Sequence, residues 1–200
     1  MTTAINDPFD TQYRVRQMLA AVAIGPDRWG PNRLAGLTTR EANFYLGILG
    51  RFARGGPPPS PAFLAALAAE EGVRYDRVQA ALERRDLLRR NRVGGVCRAQ
   101  PFSATSTRHR VKLVGLPAQY ATCAIDALGV PYMVGQTGRV TSIDPVSGDR
   151  VEVRIHPHHR PVATPTGLVA VIARPSNFDR GACELMNLFN SMASARRFCR

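Results

Sequence analysis

Two runs of six residues, Gly138-Arg-Val-Thr-Ser-Ile143 and Arg150-Val-Glu-Val-Arg-Ile155, flank the turn-forming stretch Asp144-Pro-Val-Ser-Gly148-Asp149. In the second run Val151, Val153 and Ile155 alternate with charged residues, the period of a half-buried strand. Asp, Pro and Gly between two such arms make an antiparallel hairpin. The same pattern predicts a strand over Arg110–Gly115, where Val111 and Leu113 alternate, and an apolar strand over Gly167–Ala173. Asp179–Ser191 is ambiguous between strand and helix. The C-terminal half is therefore expected to be α+β, built on an antiparallel sheet.

The preceding segment has helical rather than strand periodicity. Thr38 with Glu41 has capping-box spacing ahead of Phe44, Leu46, Ile48, Leu49 and Phe52, and the helix should stop at Gly55-Gly56-Pro57-Pro58-Pro59. Ser60 caps a second helix, Pro61 to Glu71, with proline at its first position and Gly72 as its stop. A third runs from about Tyr75 to Arg85 with Val78, Ala81 and Leu82 on one face. Leu87-Leu88, a Gly94-Gly95 turn, Val93–Val96 and Phe102 complete a winged helix-turn-helix pattern. The expected organisation is an arm over residues 1–36, partly disordered with one helix over Tyr13–Ala23; a winged-helix-like three-helix unit over 37–102; and a catalytic domain over 108–200 on which it packs. Trp29, the only tryptophan, lies in the arm and carries no reading.

Net charge is +12, and of 27 basic residues only Lys112 is a lysine. Arginine forks suit phosphate and nucleic acid, although arginine enriched together with Ala, Gly and Pro is also what a GC-rich genome writes. Between Arg51 and Arg110 there are 12 arginines against five acidic residues. DNA binding would place Arg74, Arg77, Arg84 and Arg85 on or beside the third helix, where Gln79 alone is of the Asn, Gln or Ser type that commonly reads base edges.

Four cysteines, Cys97, Cys123, Cys183 and Cys199, are scattered without CxxC spacing. This is neither a zinc ribbon nor a secreted disulfide framework, so a reducing cytoplasm is expected. The apolar run Met18–Ile24 is too short to span a membrane. His156-Pro-His158-His159 resembles a metal tract, but its flanking prolines favour an exposed loop with no Cys or carboxylate at ligand spacing. Cys97 is expected to be a small apolar residue of the wing, and Cys199 a terminal thiol without fixed geometry.

The chemistry concentrates at Tyr120-Ala-Thr-Cys123-Ala-Ile-Asp126-Ala-Leu-Gly129-Val-Pro131. With Thr122 as N-cap and Gly129 and Pro131 as stop, Cys123 would begin a helix and share a face with Asp126, three residues on. A thiol there meets free N–H groups and the macrodipole, which favour the thiolate, the reactive and metal-binding form. The pair amounts to a soft nucleophile or metal ligand beside a proton donor. No Ser–His–Asp order, P-loop or GxGxxG accompanies it.

Taken with the Gly135–Ser142 strand and a late Cys183 before Phe189 and Ser191, this order resembles the organomercurial (alkylmercury) lyase family. The resemblance covers roughly Arg40 to Arg200 and is strongest over Leu116–Ser142 and Asn177–Ser191. It implies protonolytic cleavage of a carbon–mercury bond by two cysteines and an aspartate, here Cys123, Cys183 and Asp126. Mercury is a very soft cation, suited to thiolates, and a carboxyl beside two thiolates is expected to hold its proton. No organic cofactor is implied. Hg(II) would be left on Cys123 and Cys183, with Asp126 beside it, and passed to small thiols or a mercuric reductase. Family members carry a further buried cysteine where this chain has Asp144, and they continue for several tens of residues beyond the point matching Phe198-Cys199-Arg200. The competing readings are a thiol-based, metal-sensing regulator using the basic unit on DNA, and a metal-binding relative without turnover.

Overall fold

The computed structural model describes residues 34, 36–172 and 182–200. The expected arm, with its Tyr13–Ala23 helix, lies outside these, and so do Asp179 to Gly181 of the ambiguous stretch. The chain divides into two compact units, one ending at Ala99 and including Met133–Gly135, the other formed by Gln100–Tyr132 and Gln136–Arg200.

In the first unit, α1 (Thr39–Ala53) begins with the expected capping box. The Thr38 side chain accepts from the Glu41 N–H, and the Glu41 carboxylate accepts from the Thr38 N–H at 2.7 Å. It buries Phe44, Tyr45, Ile48, Leu49 and Phe52, with Leu46 only half-buried. Ser60 caps α2 (Pro61–Glu70), and α3 (Tyr75–Arg84) buries Val78, Ala81 and Leu82. Gly55 and Gly72 follow α1 and α2 at φ +76° and +65°, left-handed positions that suit residues lacking a Cβ. The hairpin after the helices has Leu88–Arg90 (β1) and Val96–Ala99 (β2) as its arms. Val93–Gly95 therefore lies in the turn rather than in a strand, held by Asn91, whose side-chain oxygen accepts from the Val93 and Gly95 N–H groups. Phe102, expected in the wing, belongs to a strand of the second unit.

That second unit carries Phe102–Ser103 (β3), His109–Leu113 (β4), Gln119–Ala121 (β5), the helix Ala124–Val134 (α4), Gly138–Ile143 (β6), Arg150–Ile155 (β7), Val162–Thr164 (β8), Val169–Val171 (β9), Ala182–Leu185 (α5), Asn187–Phe189 (β10) and Met192–Phe198 (α6). Its main sheet runs β3-β5-β4-β6-β7-β8, antiparallel throughout. β6 and β7 have the bounds their alternation predicts. Of the apolar strand foreseen over Gly167–Ala173, Ala173 lies outside the described residues and Val169–Val171 forms β9, which pairs with β10, while β8 and α6 carried no recognised signal. The ambiguous stretch contains both types, a turn of helix and then a strand. Val111, Leu113, Val140, Val151, Val153 and Ile155 point inward, and Arg110, Lys112, Arg139, Arg150 and Arg154 point to solvent.

Two polar groups hold this core in register. His109 is buried and bonds Ser142 Oγ through Nδ1 at 2.8 Å. Burial, reinforced by the charge of Arg108, pushes its pKa down to about 4, so the ring stays neutral at physiological pH. Asp144, also buried, accepts from the Val146 and Ser147 N–H groups, from Ser194 Oγ at 2.8 Å and from the Asn190 N–H at 2.9 Å. It thereby joins the β6–β7 turn to the segments around β10 and α6. Among the described residues, no helix is long and apolar enough to cross a membrane.

Candidate active site

β5 leads directly into the start of α4, and the site is built at that junction. The expectation placed Thr122 at the N-cap and Cys123 first in the helix; the structure moves the cap by one residue. α4 begins at Ala124, the Cys123 carbonyl accepts the first helical bond from Ala127 at 3.0 Å, and Cys123 Sγ accepts from the Asp126 N–H at 3.4 Å. The thiol itself does what a capping oxygen commonly does. The other end differs too. α4 continues through Gly129 and Pro131 to Val134, and its stop is Gly135 at φ +64°. The Pro131 ring is buried and packs against Gly138, where an added Cβ would lie 2.7 Å from the ring.

Freed from the cap, Thr122 takes a second role. Its Oγ1 contacts Asp126 Oδ2 closely and lies 2.5 Å from Gln100 Oε1, while its N–H donates to the Pro101 carbonyl. Cys123 Sγ donates to the same Asp126 oxygen at 3.1 Å. Cys183 arrives from a distant part of the chain. The Ala124 N–H donates to Met186 O at 3.2 Å and the Met186 N–H to Cys183 O at 3.3 Å, joining the helix start to the turn that carries the second thiol. Gln100 Nε2 donates to Cys183 Sγ at 3.7 Å, giving a thiolate there a donor.

The Cys123 and Cys183 sulfurs and an Asp126 carboxylate oxygen all lie within 4.8 Å of one another. Among the described residues this is the one such cluster of potential metal ligands, and His156, His158 and His159 do not form another. Cys123 is 2% exposed; Asp126 and Cys183 are half-buried. The expectation of a thiolate at Cys123 is overturned. Its hydrogen bond with Cys183, its burial and the Asp126 charge push its pKa far up, and the Asp126 N–H opposes them too weakly. The resting sulfur keeps its proton.

None of the four cysteines forms a disulfide: Cys97 is half-buried in the first unit's hairpin and Cys199 is exposed. Sequence reasoning missed Gln100 and Met186 as neighbours of the thiols. Gln100 stands 22 residues from Thr122, and no local spacing marks it.

Residues 102–200 match the family model for MerB, alkylmercury lyase. The domain over these residues belongs to the alkylmercury lyase family. Among solved structures, the chain is similar to the mercury-bound form of MerB2, with 21% identity, a TM-score of 0.68, and coverage of 84% of this chain and 82% of that one. No curated protein matches in sequence. The fold likeness reaches beyond the family-model match, and all three clustered side chains lie inside the alkylmercury lyase domain.

Proposed function

We propose that the protein cleaves the carbon–mercury bond of alkyl- or arylmercury compounds, with Cys123 and Cys183 as sulfur ligands and Asp126 as proton carrier. The observation that carries this reading is the convergence of two sulfurs and one carboxylate oxygen within 4.8 Å. A metal–thiolate bond of about 2.3 Å for zinc gives two in line a span of about 4.6 Å, and mercury needs a little more. R–Hg⁺ attaches to Cys123 Sγ and displaces its proton, which the existing S–H···Oδ2 hydrogen bond directs to Asp126. Addition of Cys183 thiolate makes the mercury electron-rich and its bound carbon basic. Asp126 then delivers the proton to that carbon, the C–Hg pair becomes the new C–H bond, and hydrocarbon leaves. Hg(II) remains between the two sulfurs, and Asp126 is a carboxylate again.

Once the proton has arrived on Asp126, Thr122 gives it a hydrogen-bond partner. Thr122 has one hydroxyl proton, yet Asp126 Oδ2 and Gln100 Oε1 both lie against its oxygen. When Asp126 is protonated it donates to Thr122, which donates to Gln100, so both of these oxygen contacts carry a proton.

Around this core the reading includes no organic cofactor, release of Hg(II) by ligand exchange to small thiols or a mercuric reductase, a cytoplasmic location, and a winged-helix character for the first unit, supported by three helices followed by a hairpin. Single-turnover protonolysis of phenylmercury with excess thiol tests it. Benzene should form with wild type and not with Cys123→Ala, Asp126→Ala or Cys183→Ala. Tight mercury binding by wild type without benzene would sink the enzyme reading in favour of a metal-binding relative. Metal-dependent retention on duplex DNA would then favour the regulator.

A further inference from the structure

Outside the mercury site, a hollow of about 260 Å³ opens between β4, β5, β6 and the start of β7, lined by Ser106, Arg108, Arg110, Tyr120, Thr141 and Arg150, among others. Its cations are set by the backbone ladder. Arg110 pairs in register with Tyr120 on one side and Thr141 on the other, and Arg150 stands opposite Ile143. The Ile143 N–H donates to the Arg108 carbonyl at 3.2 Å, tying the third arginine's backbone to the same strand. The Arg110 guanidinium lies 5.2 Å from the Tyr120 ring centre, a cation–π contact that helps orient it.

These arginines differ from others on the same sheet face. Arg139 and Arg154 share Glu152, at 3.5 Å and 3.1 Å. Among the described residues, Arg108, Arg110 and Arg150 have no carboxylate at ion-pair distance, and no acidic residue lines the hollow. Three unneutralised guanidinium groups around one concavity repel one another and concentrate a positive potential there. Hydroxyls of Ser106 and Thr141 supply further donors at its wall. Planar forks plus hydroxyl donors form the complement of a phosphate or carboxylate group.

We propose that this hollow binds a small oxyanion ligand, a phosphate or carboxylate compound, at a site separate from the thiol cluster. The volume accommodates a small molecule rather than a lone ion, and Tyr120 offers a flat apolar surface beside the charged rim.

The test is calorimetric titration of the full chain with inorganic phosphate and, separately, succinate, using Arg110→Gln and Arg150→Gln beside the control Arg154→Gln. Saturable one-to-one binding is expected for at least one probe. Loss of a charge-assisted contact should weaken it about tenfold or more in the first two variants and leave it unchanged in the control. All three residues are exposed, and matching thermal melts will establish that the variants fold. The preferred probe identifies phosphate or carboxylate as the ligand chemistry. Absence of saturable binding by either probe would overturn the proposal. So would equal weakening in Arg154→Gln, or tighter binding of a short DNA duplex with losses as large in Arg154→Gln as in the other two variants, because either describes a diffuse basic face.

Discussion

Thr122→Val keeps the shape of the side chain and removes only the oxygen lying against both Asp126 and Gln100. Two consequences follow from the geometry. The carboxyl loses the hydroxyl that fixes its Oδ2, and the Gln100 amide, which also donates to Cys183, loses the contact that holds its own oxygen. A hydrogen bond involving a charged group contributes about 1.5–3 kcal/mol, which corresponds to about a ten- to 150-fold loss of rate if the contact is fully expressed in the transition state. The loss should fall on kcat, because Thr122 touches the proton carrier and neither sulfur directly, so mercury capture and KM should change little. Single-turnover release of benzene from phenylmercury measures it, and mercury-binding titration provides the second readout. Thr122→Ser keeps the hydroxyl and should recover most of the rate. A valine variant within threefold of wild type would refute the positioning role, and so would equal losses in the serine and valine variants, which would indicate a packing defect.

Asp144→Asn should destabilise the second unit by about 2–4 kcal/mol, because the new amide nitrogen must face the Asn190 N–H while the remaining oxygen serves three donors. Urea melts test this, and a change below about 0.5 kcal/mol, the scale of ordinary surface substitutions, would count against the hub. Burial raises the Asp144 pKa, but hydrogen bonds from Ser194, Asn190, Val146 and Ser147 outweigh it and leave the pKa depressed. This contribution is therefore fully present above the unfolded value, about 3.9, and is lost as pH falls through the lower folded value. Asp144→Asn should flatten that acid limb, visible in melts at successive pH values. Gly138→Ala would bring a Cβ to 2.7 Å from Pro131 Cγ and 3.3 Å from Leu113 Cδ2. A rigid ring yields poorly, so α4 must shift, costing about 1–3 kcal/mol. In contrast, Gly129→Ala meets nothing within 4 Å inside the same helix and should stabilise by about 0.5–1 kcal/mol; the opposite order of these two melting temperatures would contradict the packing described.

What was legible in the chain follows the range of the forces involved. Capping boxes and two-residue alternation are local codes, so α1, α2, β6 and β7 were recognisable from their residues alone. α4 was misjudged at both ends because tertiary contacts outweighed local preference. Pro131 finds a packing place against Gly138, and Thr122 is drawn from the cap towards Gln100 and Asp126. The Asp179–Ser191 stretch resisted assignment because its described part changes type within a few residues, from α5 to β10. Arginine content was also a poor guide to function. Some arginines of the sheet face are neutralised by Glu152, and pairing across strands cannot be read without the register.

The Cys123–Asp126 pair shows where such reading stops. Three-residue spacing on one helical turn brings a thiol and a carboxyl together whatever the rest of the chain does, which is why the pair was visible at once. Its state of charge is a different matter. A helix start considered alone favours a thiolate, but here the sulfur also meets Cys183, is shut away from water and faces a carboxyl, and together these keep it protonated. The partner that reverses the expectation lies 60 residues along the chain and reaches the site through the backbone of Met186. For protonolysis the reversal is useful. A thiol that surrenders its proton only when a soft metal takes the sulfur delivers that proton to Asp126 at the step that prepares the carbon–mercury bond for cleavage.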